Sequence, residues 1–174
     1  MGKRAPYSER GANLTVCAPS ADATDDQQPE VTTTSVQNDY THTFNGTSAS
    51  APMVSGVIAL MLQANPKLTW RDVPLILART ARKVDEQDGG WRDYRSPLGN
   101  AQGRYDVLHY SHQYGFGVAN ADAAVQLARN WKSVGGSDTL KTCGPYTTTV
   151  NAAIPETGIV TQQGADQTAR STKD

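Results

Sequence analysis

The chain has 174 residues, 37% of them hydrophobic, which allows one domain with a modest core. Acidic and basic residues are interspersed and the net charge is −1, so we expect no nucleic-acid partner. The longest apolar run, Val57 to Leu62, is too short to cross a bilayer, and the first residues carry no signal-peptide pattern. We therefore expect no membrane span, and a signal for secretion would lie elsewhere.

The first quarter of the chain reads as two short strands that lead into a turn. Apolar and β-branched residues predict a strand at Asn13–Ala18, and the polar stretch Ser20–Glu30 reads as a surface loop. A second strand is predicted at Val31–Val36. The following residues, Asp39–Gly46, are expected to form the turn that delivers Ser48.

A helix is predicted at Ala49–Ala64, and Asn65-Pro66 would end it. Pro52 is placed in its first turn, where the missing N–H costs nothing. Apolar residues occur on nearly every face of this segment, which is typical of a buried helix.

A second helix is predicted from Thr69 to about Arg82. Thr69 can cap its first turn, and Asp72, three residues on, favours the positive end of the helix. Pro74 would fall inside the helix, so we expect a distorted start. The charged, glycine-rich stretch Lys83–Gly103 has no periodicity and is predicted to be a long loop.

The next elements follow an aromatic, glycine-rich sequence. YSHQYGFG (Tyr110–Gly117) predicts a tight turn, after which Asn120 is expected to cap a short helix at Ala121–Asn130. From Lys132 the composition changes to Thr, Ser, Gly and Val, so a domain boundary is predicted between residues 131 and 138.

Beyond that boundary the sequence predicts little regular structure. YTTTV (Tyr146–Val150) is typical of a strand, whereas the polar tail, residues 164–174, is expected to be disordered. We accordingly divide the chain into residues 1–131 and residues 132–174.

Ser48 stands where the predicted turn meets the predicted helix, and two interpretations fit it. It can be an N-cap whose hydroxyl accepts a hydrogen bond from an unpaired N–H of the first turn. It can also be a nucleophile, because free N–H groups at a helix N-terminus are oriented donors for a developing oxyanion. Small neighbours such as Gly46, Ala49 and Ala51 would leave room for a substrate backbone.

The longer sequence context resembles one protein family. GTSASAP (Gly46–Pro52) resembles the nucleophile motif of subtilisin-like serine proteases, and the continuation MVSGVIALMLQANPKLTWRDVPLILARTAR is similar to the kexin and furin branch. YGFGVANADAAVQLARNW (Tyr114–Trp131) resembles the end of the kexin-type catalytic domain. PYSERGANLTVCAPS, near the start, resembles bacterial relatives, and residues after Trp131 weakly resemble the first strands of a P domain.

This resemblance implies an incomplete subtilisin-like α/β fold, with part of a parallel sheet and a buried nucleophile helix, followed by a short β-rich segment. It implies that Ser48 attacks the scissile carbonyl as the serine of a Ser-His-Asp triad, with its own N–H and a distant Asn side chain holding the oxyanion. It also implies that Glu9 is a ligand of Ca²⁺ beneath the specificity pocket. The alternative for Glu9 is a solvated loop carboxylate.

The chain departs from the family in what precedes Ser48. The family's Asp, His and oxyanion Asn motifs are absent from this sequence. We interpret its three histidines, His42, His109 and His112, as surface or structural residues. Two cysteines, Cys17 and Cys143, permit one disulfide, but the sequence does not say whether they pair.

Two functional hypotheses follow. In the first, the chain is the C-terminal piece of the catalytic domain of a secreted, periplasmic or cell-surface, calcium-dependent serine endopeptidase that cleaves peptides or proteins after basic residues. Without the partner groups the piece alone should be nearly inactive. In the second, it is an inactive remnant that binds peptides, the rest of the protease or another copy of itself through an uncovered sheet.

Overall fold

Three helices and two β-hairpins make up the part of the chain that the computed structural model describes, residues 2–21, 30–95 and 107–140. The strands are β1 (Val31–Thr34), β2 (Tyr40–Phe44), β3 (Arg92–Arg95) and β4 (Val107–Tyr110). The helices are α1 (Thr47–Ala64), α2 (Asp72–Thr80) and α3 (Ala121–Arg129), and short 3-10 turns lie at Val36–Asn38 and Ser137–Thr139.

The chain divides into two compact units, Met1–Asp138 and Thr139–Asp174. Most of the second unit lies outside the described residues. The predicted strand Tyr146–Val150, the tail 164–174 and the domain division at residue 131 therefore stay predictions.

The core forms where the three helices meet. Helix α3 packs against both α1 and α2. The buried cluster at this junction combines side chains from all three helices with one loop residue: Met61, Leu68, Ile76, Leu77, Ala124 and Ala128. Burial of these apolar groups is the main force that fixes α1, because a helix gains most of its stability from packing.

Helix α1 forms as the sequence predicts, but the prediction that it is buried is wrong for the described residues. Only Ala49 and Met61 are buried, while Leu60 and Leu62 expose 49% and 40% of their surface. Helix α3 packs against one side of α1, and most other α1 side chains are half-buried or exposed in the described structure. Leu60 and Leu62 are two residues apart and lie on different sides of the helix, so apolar surface of α1 is open to solvent on more than one side.

The same helix meets the length and composition expected of a membrane span, with a mean hydropathy of 1.3 over Thr47–Ala64. The uninterrupted apolar run, Val57 to Leu62, predicts no such segment, because smaller and polar residues interrupt the rest of the helix. A single helix of this kind is weak evidence for a membrane, since core helices of soluble proteins meet the same criterion.

Helix α2 begins later than predicted, and this places Pro74 at its third residue. An N–H at that position has no partner inside a helix, so the proline costs no hydrogen bond there. The predicted first turn of the helix is instead a tight turn, closed by the Asp72 N–H on the Thr69 carbonyl oxygen at 3.0 Å, so the expected departure from regular helix lies before Pro74. Asp72 opens the helix instead, and its carboxylate accepts hydrogen bonds from the Thr69 N–H at 2.7 Å and the Thr69 hydroxyl at 2.8 Å. The acidic half of the predicted capping box is confirmed.

The two hairpins are antiparallel, β1 with β2 and β3 with β4. Strand β3 lies inside the stretch Lys83–Gly103, so the prediction of a continuous loop is wrong there. Its sequence RDYR has no apolar alternation, and its pairing with β4 supplies the stability that propensity does not. Residues 96–106 lie outside the described part of the chain.

Parallel pairing occurs among the described residues at one bridge, between Cys17 and Val118. The predicted strand Asn13–Ala18 is reduced to this bridge, while Val118 also pairs antiparallel with Arg82 on its other side. Gly115 makes the approach possible, because a Cβ there would lie 2.5 Å from the Thr15 carbonyl oxygen. The aromatic-glycine turn is thus confirmed, and so is the Asn120 cap, whose side chain accepts from the Ala123 N–H.

Candidate active site

Ser48 is the second residue of α1 and is exposed to solvent. The N-cap position belongs to Gly46, whose φ of 84° is a left-handed conformation that favours glycine. The helix therefore starts earlier than the sequence predicted, and the interpretation of Ser48 as the N-cap is wrong. Its backbone N–H instead lies among the unpaired donors of the first helical turn, at the positive end of an 18-residue helix.

Pro52 lies deeper in the helix than predicted, four residues after Ser48. A helix normally satisfies the carbonyl of one residue with the N–H of the fourth residue on. Pro52 has no N–H, so the Ser48 carbonyl receives no such bond. The expectation that this proline costs nothing is wrong, because the helix begins at Thr47 rather than at Ala49.

Side chains from distant parts of the chain hold the turn before Ser48. The Asn45 amide donates to the Glu30 carboxylate at 2.7 Å. The Ser20 hydroxyl donates to the Gly46 carbonyl oxygen at 2.9 Å, and the same oxygen accepts from the Ala49 N–H at 3.1 Å. The turn is therefore anchored from two directions.

The segment that provides Ser20 is itself tied to the helix. The Ser50 hydroxyl donates to the Pro19 carbonyl oxygen at 3.2 Å. The Tyr7 hydroxyl donates to the Ala21 carbonyl oxygen and lies 3.1 Å from Ser20 Oγ. Local sequence patterns do not reveal these contacts, because Ser20 and Gly46 are 26 residues apart.

No histidine shares a hydrogen bond with Ser48 in the described part of the chain. His42 is exposed on β2 and its Nδ1 pairs with the Thr32 hydroxyl at 3.0 Å. His109 lies edge-on to Trp91, and its Nε2 is buried without a partner among the described residues. His112 is exposed and packs edge-on against Tyr110. That none of them is a catalytic base stays a prediction.

Glu9 is exposed next to a turn in which Arg4 fixes the backbone. The Arg4 guanidinium donates to the carbonyl oxygens of Ala5, Pro6 and Ser8. Across residues 2–21, 30–95 and 107–140, no group of three or more acidic, His or Cys side chains is arranged to hold a metal ion. Because Ca²⁺ takes six to eight oxygen ligands, Glu9 and its described neighbours do not by themselves form a calcium site.

Cys17 is partly buried and has no disulfide partner among the described residues. Burial raises the pKa of its thiol to about 11, so it is inert at neutral pH. Cys143 lies outside the described part, and the sequence question of their pairing stays open.

An open groove of about 440 Å³ lies between α1 and α3. Its lining residues are Leu60, Gln63, Ala64, Ala121, Asp122, Val125 and Arg129. Leu60 is twelve residues along α1 from Ser48, about 18 Å at the rise of a helix. The groove is therefore separate from the candidate active site.

The exposed Ser48 hydroxyl thus lies beside unpaired backbone N–H groups at the start of a long helix, on a glycine turn held by remote contacts. The profile of the subtilase family, Peptidase_S8, matches residues 1–117. The chain therefore belongs to the subtilase family.

The curated relatives lie in the kexin and furin branch, as the sequence predicted. "PC3-like endoprotease variant B" of Hydra vulgaris is 37% identical over 134 residues, 76% of this chain and 18% of the relative. "Furin-like protease 1, isoform 1-CRR" of Drosophila melanogaster is 34% identical over 157 residues, 90% of this chain and 13% of the relative. "Proprotein convertase subtilisin/kexin type 4" of Homo sapiens is 40% identical over 126 residues, 72% of this chain and 15% of the relative.

The solved structures agree with this assignment. The serine protease of Aeromonas sobria matches with a TM-score of 0.61 and 26% identity, covering 77% of this chain and 28% of that one. The same protease in complex with the chaperone ORF2 gives a TM-score of 0.62 at 25% identity. The predicted incomplete subtilisin-like α/β fold is confirmed, and the chain spans less than a fifth of the curated relatives described above.

Proposed function

We propose that this chain carries the nucleophile of a serine endopeptidase of the kexin and furin type, and that Ser48 attacks the peptide carbonyl. The observation that carries the proposal is the place of Ser48, exposed on the first turn of α1. Peptide and protein chains are the substrate class, and cleavage after basic residues is the specificity that the resemblance suggests. A secreted or cell-surface location is proposed on the same ground.

In this mechanism the Ser48 hydroxyl loses its proton as its oxygen bonds to the scissile carbonyl carbon, and the carbonyl oxygen becomes an oxyanion. The Ser48 N–H at the helix start is a suitable donor to that oxyanion. Small residues on both sides, Gly46 and Ala49, admit the substrate backbone. The base that takes the proton is not among the residues assigned here, so the chain alone should react several orders of magnitude more slowly than a complete triad.

The test is labelling by a fluorophosphonate, with imidazole added as an external base and the labelled serine mapped by mass spectrometry. We expect slow labelling at Ser48 that accelerates with imidazole concentration. Ser48→Ala should abolish it, whereas Ser55→Ala, a matched loss of an exposed hydroxyl on the same helix, should leave it unchanged. Equal labelling of several serines, or no dependence on imidazole, would contradict the proposal. A dibasic peptide should remain uncut by the chain alone.

We propose Glu9 as one ligand of a calcium site whose other ligands lie outside the described residues. Its exposed carboxylate is a suitable hard oxygen donor. The described residues do not by themselves complete the site.

A second candidate function is that of an inactive binding piece, and the open apolar surface of α1 favours it. Leu60 and Leu62 would be covered by another protein surface in a larger assembly. The candidate occupants are the remainder of a subtilisin-like domain and a second copy of this chain. Absence of Ser48 labelling together with concentration-dependent association would favour this function over the first.

A further inference from the structure

The carbonyl group two residues before Ser48 is held by a side chain from a remote segment. The Ser20 hydroxyl donates to the Gly46 carbonyl oxygen at 2.9 Å, while the Ala49 N–H donates to the same oxygen at 3.1 Å. One donor belongs to the helix and the other does not. Together they fix the peptide plane that precedes Thr47 and Ser48.

We propose that Ser20 is a positioning residue for the Ser48 hydroxyl, an inference that rests on the proposed role of Ser48 as nucleophile. Glycine at the N-cap gives the turn its left-handed conformation, with φ at 84°, but glycine also leaves the turn soft. A nucleophile must hold its geometry within about 0.5 Å to be effective. The Ser20 hydroxyl adds a restraint from outside the helix to the one that the Ala49 N–H supplies to the N-cap carbonyl.

The geometry of the segment around Ser20 supports this role. Pro19 restricts the backbone just before Ser20, and Ala21 just after it is 3% exposed. The Tyr7 hydroxyl holds the Ala21 carbonyl and lies 3.1 Å from Ser20 Oγ. The backbone at Ser20 is therefore held independently of the turn at Gly46.

A second tie runs in the opposite direction between the same two segments. The Ser50 hydroxyl, on α1, donates to the Pro19 carbonyl oxygen at 3.2 Å. The two bonds enclose Ser48 between Gly46 and Ser50, so a shift of the segment 19–20 would tilt the first turn of α1. Ser20 thereby acts on Ser48 through the backbone of Gly46.

The test uses a thiol as a local probe, in the full chain carrying Ser48→Cys, Cys17→Ala and Cys143→Ala. A thiol at a helix N-terminus has a lowered pKa that depends on its position relative to the free N–H groups. The pKa is read from the rate of iodoacetamide alkylation against pH. The alkylation measurement needs no catalytic base, so it tests the role of Ser20 even if Ser48 proves not to be a nucleophile.

We expect Ser20→Ala to raise the pKa of the introduced thiol by about half a unit, toward the ordinary value of about 8.5. Ser20→Thr, which keeps the hydroxyl, should restore the lower pKa. The matched control is Ser55→Ala, which removes a hydroxyl bonded to a carbonyl within α1 at 3.2 Å, and it should change nothing.

Thermal unfolding of the same variants separates positioning from plain stability. A lower unfolding midpoint for Ser20→Ala with an unchanged thiol pKa would overturn the proposal, as would an equal shift from Ser55→Ala. If Ser20→Ala does not fold, Tyr7→Phe provides the second measurement, because it loosens the backbone beside Ser20 and leaves the Ser20 hydroxyl in place. It should raise the thiol pKa by a smaller amount, and no rise would overturn the proposal.

Discussion

The indole N–H of Trp131, two residues after the end of α3, donates to Asp72 Oδ1, on the first residue of α2, at 2.9 Å. Asp72 is fully buried. Its carboxylate also accepts from the Ser133 hydroxyl at 2.6 Å and the Val134 N–H at 2.9 Å, besides the two donors of Thr69. One carboxylate thus fixes the start of α2, the end of α3 and the chain that follows.

Replacing this carboxylate by an amide should destabilise the fold. In Asp72→Asn, an NH₂ group replaces one of the two carboxylate oxygens. The donors that faced that oxygen then meet another donor and lose their hydrogen bonds. We expect the free energy of unfolding to fall by about 2 to 4 kcal/mol. Urea unfolding followed by circular dichroism measures the change.

Asp122→Asn is the matched control for this experiment. Asp122 is also acidic and in the first turn of a nine-residue helix, but it is exposed and pairs only with Gln126 among the described residues. We expect its replacement to change the free energy of unfolding by less than about 0.5 kcal/mol. Equal losses in the two variants would show that a first-turn charge, rather than the buried network, stabilises the chain.

Lowering the pH should remove the stabilisation that the Asp72 carboxylate provides. Burial by itself would raise the pKa of Asp72, but hydrogen bonds from Ser133, Thr69, Val134 and Trp131 outweigh it and hold the pKa well below its usual range. A depressed folded-state pKa gives stability that is present above the unfolded pKa of about 3.9 and is lost as pH falls below it.

We therefore expect the stability difference between the natural chain and Asp72→Asn to be constant from neutral pH down to about pH 5 and to shrink at lower pH. Parallel urea titrations at several pH values measure it. Other carboxylates titrate in both proteins, so the difference isolates Asp72. A difference that stays constant below pH 4 would contradict the assigned shift.

Local signals account for the elements that were predicted correctly. Helix α3 has its own cap in Asn120, and the aromatic-glycine turn has glycines where the backbone needs them, Gly115 and Gly117. Such features depend on residues close in sequence. The resemblance of GTSASAP, Gly46–Pro52, to a family motif likewise lies within seven consecutive residues.

The features that sequence did not reveal depend on distant partners. Strand β3 is stabilised by its pairing with β4, so no pattern within Arg92–Arg95 predicts it. The contact of Ser20 with Gly46 links two segments 26 residues apart. The exposure of α1 depends on which elements pack around it. Its apolar sequence indicates only that burial of the helix against other elements would be favourable.

Gly115 offers a test of the close approach between the turn and the segment beside Thr15. Its φ is +60°, and an added Cβ would lie 2.5 Å from the Thr15 carbonyl oxygen and 2.8 Å from that of Leu14. Gly115→Ala must therefore shift the backbone. We expect a loss of more than about 2 kcal/mol in the free energy of unfolding, measured in urea.

Gly56→Ala is the control, because it makes the same substitution inside α1 with no atom within 4 Å of the new Cβ. It should stabilise the chain by about 1 kcal/mol, since alanine favours a helix over glycine. The two substitutions are thus expected to have opposite signs. If both substitutions lower the free energy of unfolding, the alanine at position 56 packs unfavourably in α1. If both raise it, the close contact between residue 115 and Thr15 is contradicted.

The open face of α1 leads to a last prediction, concerning association of the chain with itself. Leu60 exposes 49% of its surface on the face of α1 beside the groove between α1 and α3. Pure chain in water has only a second copy available to cover this face, so we expect dimers or larger species that grow with concentration in sedimentation velocity. Leu60→Gln should shift the equilibrium toward monomer.

Val107→Gln is the control, because Val107 is still more exposed, at 64%, but lies on β4 and not on the helical face. It should leave the association unchanged. If both substitutions weaken association equally, general hydrophobicity drives it and the α1 face has no special part. If only Leu60→Gln weakens it, the face that a complete subtilisin-like domain would need to cover is the same face that makes this chain self-associate.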